Sequence, residues 1–151
     1  MPETDNQIPR LPPQSIETEQ AVLGCMLIET EAVPKTIQLL RPYYFYKSSH
    51  DKIFSSMIQL FDKNEQVDNF TVIDQLQKNG DLESVGGALY ITDLSTDAPS
   101  GENVEYYVKI VRDKYILRSI ISASAELTTL AYDGKEEVTN ILDKVEQTIF
   151  A

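Results

Sequence analysis

The chain has 151 residues, 13 of them Lys or Arg and 24 Asp or Glu, for a formal net charge of −11. So negative a surface repels phosphate backbones, which argues against this segment as the part of a protein that grips nucleic acid. One cysteine excludes an internal disulfide framework and any multi-cysteine metal centre, and 42% apolar with 25% charged residues describes a soluble globular chain.

Residues 1–13 read as a disordered lead-in, polar at the start and closed by Pro9, Pro12 and Pro13. They contain no apolar stretch of the kind a secretory signal needs, and no run in the chain is long enough to span a bilayer. With the lone cysteine, this predicts a cytoplasmic location. Ser15 is an expected N-cap, with Glu17 and Glu19 in the first turn, where carboxylates favour the helix dipole. Ile16, Val22, Leu23, Met26 and Leu27 then give an apolar helical face to about residue 28.

A short helix is predicted over 33–40, because Val33, Ile37 and Leu40 recur at helical spacing and Pro34 is tolerable in a first turn. Pro42 stops it, and the aromatic residues Tyr43, Tyr44, Phe45 and Tyr46 follow. Ser48 or Ser49 is the expected cap of a helix to about residue 62, burying Ile53, Phe54, Met57, Ile58, Leu60 and Phe61. Asp68 caps the next, carrying Val72, Ile73 and Leu76, and Gly80 supplies its left-handed C-terminal residue. A further short helix covers about 88–94. No strand is predicted, since alternation never persists.

The composition changes after Pro99, the last proline in the chain. From about 102 to 132 nothing interrupts a helix, which would be roughly 45 Å long at the standard rise. Asp133, Gly134 and Lys135 form a turn, and 136–150 resumes a helix with Val138, Ile141, Leu142, Val145 and Ile149 at a period near 3.5. Two helices joined so tightly run antiparallel. The expected architecture is therefore all-α: a globular multi-helix head over 14–99, then a long antiparallel helical hairpin over 100–151. The long helix is apolar on two sides, with Val104, Val108, Val111 and Tyr115 on one and Ile110, Leu117 and Ile121 on another. The second helix is too short to cover both, so self-association through the hairpin is expected. The predicted interface is Val104, Val108, Val111, Tyr115, Ile141, Val145 and Ile149.

Chemistry is sparse. The phosphate-loop pattern G-x-x-x-x-G-K-[ST] is absent: Gly134-Lys135 is followed by Glu136 and lacks the earlier glycine. No cofactor, metal or catalytic residue is assigned. Cys25 and His50 form the one conceivable nucleophile pair, but Cys25 reads better as a small apolar core residue. The 24 carboxylates read as solvated helix surface. The aromatic run at 43–46 reads as helix packing, because only Arg41 and Lys47 flank it and a base-stacking platform needs more cations.

Several segments, in order, carry a family likeness. The stretch Leu11, Pro12, Pro13, Gln14, Ser15, Ile16, Glu17, Thr18, Glu19, Gln20, Ala21, Val22, Leu23, Gly24 comes first. Phe45 and Tyr46 with His50, Ile53 and Phe54 follow, then Val67 and Asp68 with Thr71 and Val72. Next are Gly80, Leu82, Glu83, Val85, Gly86, Gly87 and Tyr90. Pro99 and Ser100 with Asn103, Glu105, Tyr106, Tyr107, Ile110, Val111, Arg112 and Lys114 come next, and Val145 through Phe150 close the series. Together they resemble the N-terminal domain of the bacterial DnaB-type replicative DNA helicases over about 11–150. One departure is Pro42, Tyr43, Tyr44, Phe45, where the family commonly has an acidic residue before the Phe.

The resemblance implies a collar domain. In the family six such domains assemble as a trimer of dimers, hairpins paired, above a motor ring that uses ATP and Mg and contacts the DNA. That motor would lie beyond Ala151. The collar also recruits the C-terminal domain of the primase, and a helicase loader is a further expected partner. By analogy Tyr90, Ile121 and Leu127 are the expected primase contacts. The rival reading is a free-standing adaptor or loader-like regulator with the same fold; a small hydrolase using Cys25 and His50 ranks third.

Overall fold

The structure, a computed structural model, describes residues 10–150. They form seven α-helices, α1 (Ile16–Ile28), α2 (Ala32–Leu39), α3 (Ser48–Asp62), α4 (Asn69–Asn79), α5 (Gly87–Thr96), α6 (Val104–Asp133) and α7 (Val138–Phe150), with 3-10 turns at Pro42–Tyr44 and Gly101–Asn103. No strand occurs among the described residues, so the all-α expectation holds. Of the predicted lead-in, residues 1–9 lie outside the described residues; Arg10, Leu11 and Pro12 are exposed and non-helical.

The chain divides into two compact units, Met1–Tyr115 and Ile116–Ala151. The expected boundary after residue 99 is thus too early. The correction has a simple cause: Val104, Val108 and Val111 fill the core of the head and bring the first turns of α6 into it.

In the first unit α1 is the central helix. It packs against α2, α3 and α5, while α3 packs on α4 and α4 on α5. Six consecutive residues of α1, Val22 to Leu27, are buried, so its C-terminal half is enclosed all round, while its first turns keep one buried side. Leu23, Met26, Ile53, Phe54, Met57, Leu76 and Ile91 are all fully buried. Three predicted helix signals stand. Ser15 accepts from Thr18 N. Asp68 and Thr71 form a reciprocal capping box at α4, where Thr71 N reaches Asp68 Oδ1 at 2.9 Å and Asp68 N reaches Thr71 Oγ1 at 2.9 Å. Gly80 ends α4 at φ 77°. One signal fails. Lys47 takes the N-cap place of α3 without a side-chain cap, and Ser49 turns its hydroxyl inward, where it finds no hydrogen-bond partner.

Gly24 lets α1 and the end of α5 meet. A β-carbon there would run into the Leu94 carbonyl oxygen and lie 2.8 Å from the Ala98 β-carbon.

The second unit holds the rest of α6 and α7, joined by residues 134–137. Gly134 turns the chain at φ 57° and its N–H bonds Leu130 O at 3.3 Å. Ala123, Leu127, Leu130, Ile141 and Val145 are half-buried, and no described residue of this unit is buried.

Gly24→Ala offers a direct check on the helix contact. Alanine gains about 1 kcal/mol in helix propensity, whereas crowding into a packed contact costs about 1–3 kcal/mol. The expected outcome is a lower urea midpoint for the head; a raised midpoint would show that the two helices can part without cost.

Candidate functional site

The most densely bonded polar cluster of the head begins at Glu19. This residue lies three before Val22, four before Leu23 and seven before Met26, on the buried stripe of α1. The residue is 2% exposed. A carboxylate there is tolerable only if its acceptors are filled. Glu19 Oε2 accepts from Tyr46 N at 2.7 Å, and Oε1 accepts from Lys47 N at 3.3 Å and lies 2.8 Å from His50 Nδ1. The carboxylate thus meets the chain just where α3 begins, the positive end of that helix.

His50, on the first turn of α3, is 0% exposed. An ionised Glu19 only accepts, so Nδ1 is the donor, and in the neutral ring Nε2 is left as an acceptor. Nε2 lies 2.6 Å from the Tyr90 hydroxyl on α5, and Gln20 Nε2 donates to that same hydroxyl at 3.2 Å. With the ring in that form each polar atom has its complement, the Tyr90 hydroxyl donating to His50 Nε2 and accepting from Gln20 Nε2. The His50 and Tyr90 rings are nearly parallel, 15° apart with centroids 6.0 Å apart, and Lys47 Nζ lies 5.0 Å from the Tyr90 centroid. Tyr90 itself is half-buried and lines a groove of about 270 Å³ with Glu17, Gln20, Asp93 and Asp97.

Cys25 takes no part. It is fully buried, and its thiol faces Pro99 O at 3.5 Å and Ser100 O at 3.8 Å. Burial first, and then the Glu29 carboxylate, push its pKa up, which disfavours the reactive thiolate. His50 has both nitrogens engaged elsewhere, so the pair needed for a hydrolase does not form. Among the described residues, no group of three or more His, Cys, Asp or Glu is placed to hold a metal, and no helix is long and apolar enough to cross a membrane.

The residues predicted for the oligomer interface fall in three places. Val104, Val108 and Val111 are 1–2% exposed in the head core, which corrects their assignment to an interface: the head's own helices already cover them. Tyr115 also faces the head, stacked on Tyr44 at 4.1 Å and 15° and edge-on to Tyr43 at 5.6 Å and 65°. Ile141 and Val145 are half-buried in the second unit, and Ile149 is exposed. The second unit also exposes Ile116, Leu117, Ile120, Ile121 and Leu142, each at 44–56%. Of the predicted primase contacts, Tyr90 lies in the first unit, and Ile121 and Leu127 lie in the second, the latter half-buried.

Sequence reasoning missed Glu19 and His50 as a pair, reading Glu19 as surface charge. The signal was present: position 19 falls on the same apolar stripe as Val22, Leu23 and Met26.

Fold and comparisons agree on a class, the all-helical domains associated with helicases. A family model described as the DnaB-like helicase N terminal domain matches residues 11–113. The chain is 42% identical to the replicative DNA helicase DnaB of Rhodothermus marinus over 95% of this chain and 15% of that protein. It is 42% identical to the replicative DNA helicase DnaC of Bacillus subtilis over 97% of this chain and 32% of that protein. The crystal structure of the N-terminal domain of DnaB helicase from Mycobacterium tuberculosis superposes with a TM-score of 0.89 at 32% identity, over 93% of this chain and 100% of that one. The chain belongs to the DnaB-like helicase N-terminal domain family, and it spans about a third or less of the length of these two curated relatives.

Replacing Glu19 by Ala would leave His50 Nδ1–H and two backbone N–H groups without an acceptor inside the head. The expected loss is about 3 kcal/mol of stability, read from urea unfolding, with Glu19→Gln costing clearly less. A loss below about 1 kcal/mol for the alanine variant would mean that water or a neighbour replaces the carboxylate.

Proposed function

We propose that this chain is the collar domain of a replicative DNA helicase, which assembles the ring through its second unit and docks the primase C-terminal domain. The observation that carries the reading is the second unit's surface: Ile116, Leu117, Ile120, Ile121, Leu142 and Ile149 are exposed, and none of its described residues is buried. A helical pair of this size cannot bury enough surface to stand alone, so it gains its core from other copies. In this reading the hairpin pairs into dimers and three dimers form the collar. Tyr90, Ile121 and Leu127 meet the primase, and a helicase loader is a further partner.

The parent activity is then division of labour. ATP hydrolysis, its Mg requirement and the main DNA contacts belong to the parts of the relatives that this chain does not match, and the assembly works in the bacterial cytoplasm. The charge of −11 suits a domain that handles proteins while another grips DNA.

Sedimentation velocity over a range of concentrations tests the assembly. Association is expected, and Ile120→Glu combined with Leu142→Glu should weaken it at least about tenfold, since each buries a charge in an apolar contact, while the head melts as before. Val111→Glu is unsuitable, because Val111 is 2% exposed within the head. A folded monomer at several hundred micromolar would end the reading.

A further inference from the structure

The geometry points to a positioning role for the buried Glu19–His50 pair: it fixes the Tyr90 ring at the head surface so that a docking protein meets an aromatic side chain already ordered. The inference rests on the reading of Tyr90 as a docking residue, but its structural basis stands apart. Of the three residues in line, Tyr90 is half-buried and reaches the surface, whereas Glu19 and His50 are at most 2% exposed. The Tyr90 hydroxyl is held from two sides, by His50 Nε2 at 2.6 Å and Gln20 Nε2 at 3.2 Å. His50 cannot swing away, because its other nitrogen lies 2.8 Å from a carboxylate that is itself pinned by two backbone N–H groups. The relay therefore passes from α1 through α3 to α5 without a free rotor until the ring itself.

A half-exposed tyrosine normally samples more than one rotamer and loses that freedom when a partner lands on it. Here the freedom is already lost in the free head, which lowers the entropic cost of docking. Tyr90→Phe keeps the ring and removes the bond. Glu19→Gln keeps the shape but puts an amide NH2 where a carboxylate oxygen accepted, so at least one of the three N–H groups at Glu19 loses its acceptor and His50 is held less firmly. Both act on Tyr90 through one chain of contacts, so their effects on docking should not add.

Two measurements on the whole chain decide the matter. The first is side-chain NMR of the ring at position 90 and of the imidazole, which is the chain's single histidine. The wild type should show one rotamer at Tyr90 and a hydrogen on Nδ1 of His50; both variants should show rotamer averaging at position 90. The second is calorimetric titration with a primase C-terminal domain. Each variant should bind about three- to tenfold more weakly, the span of one net hydrogen bond, and the double variant no more weakly than the worse single one. A ring as ordered in both variants as in the wild type overturns the positioning role. So does unchanged affinity in variants whose ring has become mobile. If the wild type does not bind the primase domain, the docking reading falls instead, and ring order alone then decides whether the relay positions Tyr90.

Discussion

A single buried carboxylate organises the head. Glu19 sits where the pattern of α1 demands an apolar side chain, and its charge is tolerated because the start of α3 comes to it. Two backbone N–H groups and one imidazole nitrogen converge on it within 3.3 Å. The aromatic turn at 42–46, the first turn of α3 and, through His50, the middle of α5 are thereby registered against α1. An apolar residue at this position would take from Tyr46 N and Lys47 N the acceptor that Glu19 gives them, and Lys47 provides no side-chain cap in its place. Directional bonds here do what hydrophobic burial cannot: they select one alignment among helices that grease alone would let slide.

Much of this was legible in the residues. Ser15, Asp68 and Gly80 announce helix ends through local chemistry that needs no distant partner, and all three act as their side chains or backbone freedom dictate. Ser49 shows the limit. Serine is a good cap in isolation, yet here Lys47 takes the N-cap place without a side-chain cap, and Ser49 is drawn into the core. Glu19 failed to be recognised for the complementary reason. Composition weights a glutamate towards solvent, whereas its place on the stripe puts it inside; only the position of His50 in space reconciles the two.

The residues of α6 make the same point about surfaces. Val104, Val108, Val111 and Tyr115 share one side of a helix, and spacing identifies that side correctly. Spacing does not identify the neighbour. The stripe is covered by the head of the same chain, while Ile116, Leu117, Ile120 and Ile121 just beyond carry the exposed apolar area. A boundary drawn at the last proline missed this, because the division falls within an uninterrupted helix and leaves no glycine, proline or polar break to mark it.

The absence of any buried side chain among the described residues of the second unit bears on how unfolding of this chain is to be understood. Cooperativity comes from shared burial: side chains that lose their surroundings together melt together. The head has that; the other unit, taken by itself, does not. Backbone amides of the two should therefore exchange with solvent over widely different free energies, and helix content lost on warming will not track tertiary order in the head. One transition temperature is then not a property of the whole molecule. Ellipticity at 222 nm averages a marginal helix pair with a well-cored domain, whereas a probe inside the head sees only the latter.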